Sequence, residues 1–409
     1  MSADSGNGGP APTASMRGIK VLDFSMGVAG PHAGALCALH GAEVVKIESR
    51  EGDWSRVLGE QHGDFSAFSV VYNRGKRSLS IDLKNEQAQA AVRRMAQEAD
   101  VVIEAFRPGV MRKFGLDYDS LREANPRLIY LSINGFGSAG SMVDEPAVDV
   151  VMQAFTGFMY ANADDDGLPQ RLDFVVIDAV TGLYGFQAIS MALLERARFG
   201  GSGYRVECSL MSAAMALQAG KILESHVESG ERAMYVPLGV FATADGFVSL
   251  SARRDDHFAL LSRLLGRPDW VEGGRYARAA DRVRLREEFV PQLEAELRKH
   301  GTDALCRLLT EAGILNSRVN TYAAAVRHDQ VRANQAVAWQ PHAGFDDPLP
   351  IAAVPGTQGL QDAAQAPRIG EHSLGVLRDW GVPDALVAQL LEEGAVSATP
   401  GRRPGAVPR

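Results

Sequence analysis

A chain of 409 residues is too long for one compact core and accommodates two domains. Apolar residues make up 46% and charged residues 22%, the balance of a globular protein, and a net charge of −8 excludes a broad nucleic-acid-binding surface. Three scattered cysteines, Cys37, Cys208 and Cys306, form no CxxC pair, which excludes a disulfide scaffold and fits a reducing, cytoplasmic compartment.

Residues 1–16 are acidic and small, with no basic or apolar leader segment, and read as a disordered tail; residues 398–409 read likewise. From Gly18 onward short apolar β-type runs alternate with helical patterns. IKVLDFS is a strand, PHAGALCALHG a helix bounded by Pro31 and Gly41, and AEVVKIE a strand. SLSIDL, a helical run near Glu86–Gln97, DVVIEAF and LIYLSING continue the alternation. Such a pattern predicts an α/β, Rossmann-like parallel sheet with helices on both faces and ligands at the carboxyl ends of its strands. Cys37, inside AGALCAL, reads as a buried thiol.

The segment DAVTGLYGFQAISMALLERARFG predicts a long, largely buried helix ending near Gly200. VPLGVFATADGFVSLS reads as a hairpin turning at Asp245-Gly246, followed by helices from Asp256 to about Ala312. The domain boundaries expected are 17–225 for the large domain, 226–330 for a smaller α+β domain, and 331–397 for a linker and return to the large domain. No apolar run is expected to cross a bilayer, and the histidines show no metal-ligand spacing, so neither a membrane nor a metal is expected.

Gly135-Phe-Gly137-Ser-Ala-Gly140 spells GxGxxG after a strand, yet Pro146 follows closely and no helix opens there. A dinucleotide needs helix amides at that point, so the motif reads as a loop. Asp178 lies between the apolar run FVVI and the long helix. Its residue type and place point first to a helix cap, and suit as well a carboxylate nucleophile stabilised by a helix N-terminus.

The stretches VLDFSMGVAGP, GAEVVKIE, NRGKRSLSIDLK, IEAFRPGVMRKFGL, NPRLIYLSINGFG, VIDAVTGLYGFQAIS and IGEHSLGVL together resemble the class III CoA-transferases of the CaiB/BaiF type, over nearly the whole chain. The resemblance implies an enzyme that moves CoA from an acyl-CoA thioester to a free carboxylic acid, with Asp178 as covalent nucleophile and CoA as substrate rather than bound cofactor. It implies CoA contacts at Val28, Ala29, Ile81, Leu83, Lys84, Phe106, Arg107 and Lys113, and a substrate-orienting role for Asp149 with Gly135 and Gly137. The run Arg74, Lys76 and Arg77 is read as a further supply of charge for CoA phosphates. Ala105 and Ser49 depart from the Asn and Arg found there in relatives.

The resemblance also implies an intertwined homodimer whose large domain is built from the N- and C-terminal parts. Racemases of the same scaffold carry a catalytic His where this chain has Val148, and valine cannot exchange a proton. The alternatives are therefore a racemase, which Val148 opposes, and a partner subunit of a heteromeric transferase. A dicarboxylate is the acceptor that the resemblance suggests, oxalate less so, since no glycine-rich loop is found near Glu228–Gly239.

Overall fold

The computed structural model describes residues 14–164, 166–227, 235–357 and 364–401. The chain forms two units, Met1–Ile222 with Gln335–Arg409, and Leu223–Asn334. Most of both expected tails lies outside the described residues. Met16, however, is buried and donates its N–H to His40 O, and Gly401 N–H donates to Ile369 O, so the described part of each expected tail is held by backbone hydrogen bonds.

The larger unit is built on β1 (Lys20–Asp23), β2 (Glu43–Glu48), β3 (Arg77–Ser80), β4 (Val101–Glu104), β5 (Ile129–Asn134) and β6 (Arg205–Ser209). All neighbours pair in parallel in the order β3-β2-β1-β4-β5-β6, as the alternating pattern predicts. The order reverses between β1 and β4, where the chain leaves the two strands in opposite directions and a crevice opens at their carboxyl ends.

Three helices accompany the first four strands: α1 (Ala29–Leu39), α2 (Ala67–Asn73) and α3 (Glu86–Ala96). In α3 the Asn85 side chain accepts from Ala88 N–H, and Ala88, Ala91, Val92 and Met95 recur at helical spacing on the buried face. The expected segments did not include α2; Ser66 and Ser69 form a reciprocal capping box that starts it, a signal weaker than the Ser/Thr-to-Glu form. Two short helices, α4 (Val110–Lys113) and α5 (Tyr118–Leu121), precede β5. Between β5 and β6 come α6 (Asp149–Phe155), α7 (Phe158–Ala161) and α8 (Val176–Phe199), and α9 (Leu210–Leu217) follows β6.

One face of the sheet packs Leu22, Val45, Leu79 and Val102 against α3 and against the helices Ser373–Asp379 and Asp384–Glu392. The C-terminal part thus completes this core, with Trp380 wholly buried. The other face packs Val21, Val44, Ile103 and Leu131 against α1 and α8. Cys37 lies in this layer, and burial pushes its thiol up to about 12, as befits an inert side chain.

The long helix departs from expectation in two ways. It is apolar and long enough to cross a bilayer, although it packs along α1, α9, β5 and β6. Only seven of its residues are buried in the chain, and Leu183, Met191 and Leu194 are exposed. In the smaller unit β7 (Leu238–Ala242) and β8 (Phe247–Ser251) form the expected hairpin, and β9 (Leu315–Arg318) pairs with β8. Its core holds Phe258, Trp270, Phe289 and Leu293.

Beneath the crevice the sheet carries buried charge. Lys76 Nζ sits 2.7 Å from Asp23, Lys46 Nζ 2.9 Å from Asp53, and Arg56 2.8 Å from Glu48, with all six side chains fully shielded. Lys76 also donates to Pro31 O at 2.8 Å and Asn73 Oδ1 at 3.0 Å, Lys46 donates to Ser25 O, and Gly27 N–H donates to Asp53 Oδ1 at 2.8 Å. Burial opposes the charge on Asp23, but Lys76 and Lys46 outweigh it and hold the carboxyl below its usual range. The basic run Arg74–Arg77 is therefore structural rather than open to phosphates: Arg74 is buried, Lys76 is paired, and Arg77 binds Glu43 and Asp379. Lys76→Met strands a buried carboxylate and should cost about 3–5 kcal/mol in urea unfolding, and Lys76→Met with Asp23→Leu should recover most of that loss. A single variant as stable as wild type contradicts this reading.

Candidate active site

A pocket of about 410 Å³ opens at the reversal of strand order. Its floor comes from Met26, Val28, Ala29 and Gly30, where β1 runs into α1. One wall is Ala105 to Pro108 after β4, another is Ile133 to Gly135 at the end of β5, and the rim is Val143 to Val148. Trp54, Leu210 and Asp178 close it. Gly27 has φ +85°, and a Cβ there would lie 2.1 Å from the Trp54 ring, so only glycine lets the loop pass under the indole.

Asp178 reaches this pocket because α8 crosses α1 closely. A Cβ on Gly182 would meet His32 Cβ at 2.6 Å and Ala29 O at 2.8 Å, and His32 Nδ1 donates to Ala179 O at 3.0 Å. The helix begins at Val176 rather than near Thr181, which puts Asp178 inside its first turn instead of at the cap. The capping is done by Asp149, the first residue of α6, whose Oδ2 accepts from Ile177 N–H at 2.6 Å and Asp178 N–H at 3.1 Å. Gln153 Nε2 donates to the other oxygen of Asp149 at 2.6 Å.

This arrangement changes the electrostatics expected of a helix N-terminus. The amides that would have stabilised an Asp178 anion are taken by Asp149, and the Asp178 carboxylate has no hydrogen bond or ion pair among the described residues. Burial, then the charge of Asp149, raises its pKa to about 7. A carboxyl so placed is poorly solvated, close to its ionisation point and exposed to a ligand, which suits nucleophilic attack.

The pocket brings together Val28, Ala29, Phe106, Arg107, Gly135 and Asp178. Asp149 lies behind it, 6% exposed. Gly137 lies outside, and its N–H donates to Asn134 Oδ1 at 2.6 Å, so the glycine loop has spent that amide. Ile81 is buried in the core and bridges to Val396, Leu83 packs on the same core, and Lys84 and Lys113 are exposed away from the pocket. Arg107 is exposed, with no side-chain partner among the described residues. Sequence reasoning missed Met26, Trp54, Asn134 and Leu210; Gly27 beside a buried Asp53 signals a tight loop in hindsight, but not its neighbours.

Because the folded-state pKa of Asp178 is raised, ionisation opposes folding. The native state loses stability as pH climbs through the interval from the usual carboxylate range to about 7. Asp178→Asn should thus exceed wild type by roughly 1–3 kcal/mol at pH 8, solvent in the pocket screening part of the effect, and equal it near pH 4. Urea unfolding at the two pH values checks this, and equal stability at both contradicts it.

The model of CoA-transferase family III matches residues 16–373. The chain is 32% identical to a succinate–glutarate CoA-transferase of Agrobacterium fabrum over 386 residues, covering 89% of this chain and 95% of that one. It is 33% identical to a probable fatty acyl-CoA transferase, Rv3272, of Mycobacterium tuberculosis over 331 residues, covering 76% and 84%. A crystal structure of a CaiB/BaiF family protein from Brucella suis superposes with a TM-score of 0.80 at 31% identity, covering 89% of this chain and 99% of that one. These likenesses span the sheet, the crevice and the segment bearing Asp178, and the chain belongs to CoA-transferase family III as an enzyme of that class.

Proposed function

We propose that the protein exchanges CoA between an acyl-CoA thioester and a free carboxylate through covalent intermediates on Asp178. The observation that carries this is an unpartnered carboxylate, raised to about 7, in the pocket at the strand-order reversal. Asp178 attacks the thioester carbonyl and expels CoA thiolate, leaving a mixed anhydride. The thiolate attacks the aspartyl carbonyl and releases the donor acid, giving an aspartyl-CoA thioester. The acceptor carboxylate displaces the thiolate to form a second anhydride, and thiolate attack on the acceptor carbonyl releases product and restores Asp178. Charge is conserved at each step and no proton is needed, so the acyl energy survives if water is kept out.

The first turn of α1 supplies the oxyanion donors in this reading. Val28 provides no side-chain cap, Pro31 has no N–H, and Ala29 and Gly30, whose amides have no acceptor among the described residues, line the pocket. Phe106 and Arg107 line the path of CoA, with Lys84 and Lys113 as outlying charges. A racemase lacks support, because Val148 at the rim has no proton to move. The exposed apolar side of α8 supports a homodimer, and the three free cysteines support a cytoplasmic setting.

Intact-mass measurement after incubation with a panel of acyl-CoAs and hydroxylamine trapping should find a modification on Asp178 that is absent from Asp178→Ala. An unmodified wild type across the panel would sink the covalent mechanism. Attack needs the ionised carboxyl, so kcat/KM should fall as pH drops through about 7. Asp149→Asn removes the nearby negative charge while keeping an acceptor for the α8 amides, and should move that acid limb to lower pH; an unmoved limb argues that Asp149 does not tune Asp178.

A further inference from the structure

Glu104 is a buried carboxyl for which the reaction sequence above has no use. Strand β4 runs through Val101, Val102 and Ile103, all fully buried and apolar, and ends on Glu104, which is 7% exposed. The pleat sends Val101 and Ile103 to the α1–α8 face and Val102 and Glu104 to the α3 face, so Glu104 lies across the sheet from Asp178. The parallel register of β4 and β5 sets Ser132 beside it, and the Ser132 hydroxyl donates to Glu104 Oε1. Arg205 Nη2 in turn donates to Ser132 Oγ at 3.3 Å. The other carboxyl oxygen, Oε2, accepts from Phe106 N–H at 2.9 Å. Burial outweighs these donors and holds the carboxyl above its usual range, so an apolar residue would end the strand at less cost to stability.

What this carboxyl holds is the turn that follows the strand. Phe106, Arg107 and Pro108 stand between the Asp178 pocket and a second cavity of about 410 Å³ on the Glu104 side, and line both. We infer that Glu104 is a positioning residue for CoA: by fixing the Phe106 amide it sets where the Phe106 ring and the Arg107 guanidinium meet the coenzyme. The inference rests on the transferase reading above, which assigns that turn to CoA. Every bond named lies within one chain and needs nothing from a partner protomer. Without Glu104 the Phe106 amide loses its acceptor and the turn is free to shift, and a displacement of about 1 Å is enough to cost a positioned group most of its effect.

The test is calorimetric titration of the full chain with CoA itself, which binds without an acyl group to transfer. Glu104→Leu should raise Kd about tenfold, whereas Glu104→Gln, whose amide oxygen still accepts from Phe106 N–H, should stay within about twofold of wild type. Ser132→Ala keeps the carboxyl and removes one of its donors; it should raise Kd about threefold, and it serves in place of Glu104→Leu if that variant does not fold. In chains already carrying Arg107→Ala, the loss on adding Glu104→Leu should shrink to about threefold, because part of what Glu104 places is gone.

Folded Glu104→Leu or Ser132→Ala binding CoA as tightly as wild type overturns the positioning role. So does Glu104→Gln binding as weakly as Glu104→Leu, and so do fully additive losses with Arg107→Ala. In each of these cases CoA binding by wild type leaves the transferase reading standing. A wild type that does not bind CoA overturns that reading, and this inference with it.

Discussion

The pocket depends on three ion pairs buried under the sheet's carboxyl edge, Lys76 with Asp23, Lys46 with Asp53 and Arg56 with Glu48. Such pairs gain little stability over an apolar core, because removing two charges from water offsets most of their attraction. Their effect is on shape. The two lysines and Asp53 also hydrogen-bond Ser25 O, Gly27 N–H and Pro31 O, backbone groups where β1 runs into α1. A loop that would otherwise be free to vary is tied at three points, and Trp54 lies against its glycine. Ala29 and Gly30, at the start of α1, line the pocket beside that loop.

The second constraint is the crossing of α8 over α1, permitted by Gly182, which brings Asp178 into the pocket that Ala29 and Gly30 line. Burial, and after it Asp149, then set the state of Asp178. By accepting from the Ile177 and Asp178 amides it stabilises the helix start, and by its charge it raises the neighbouring carboxyl. The helix N-terminus is thus used for structure, while the carboxylate beside it is left without donors. The same burial and charge that lower stability at neutral pH act on the group we propose attacks a thioester, a trade of the kind found where binding surfaces are built for reactivity.

Much of the scaffold was readable in the chain. The alternation of IKVLDFS, AEVVKIE, DVVIEAF and LIYLSING with helical runs is borne out as a parallel sheet, because strands covered on both faces must be apolar throughout. The GxGxxG segment is a loop, as the nearby Pro146 indicated, and the hairpin at Asp245-Gly246 stands where its turn residues put it. The basic run Arg74–Arg77 looked available for phosphates because a charge run carries no sign of its partners. Asp23 is 53 positions from Lys76 and Asp379 more than 300 from Arg77, so only folding brings them together.

Sequence alone determined the family, the strand–helix order and Asp178 as the residue to watch, since these rest on local pattern and short motifs. Tertiary structure decided that Asp178 sits within a helical turn and not at its cap, that Asp149 takes its amides, and that Met26, Trp54 and Val148 meet beside it. The physical reason is that a carboxyl's ionisation and a pocket's polarity are set by whatever lies within a few ångströms, and those neighbours come from separate strands and helices whose juxtaposition no local pattern records.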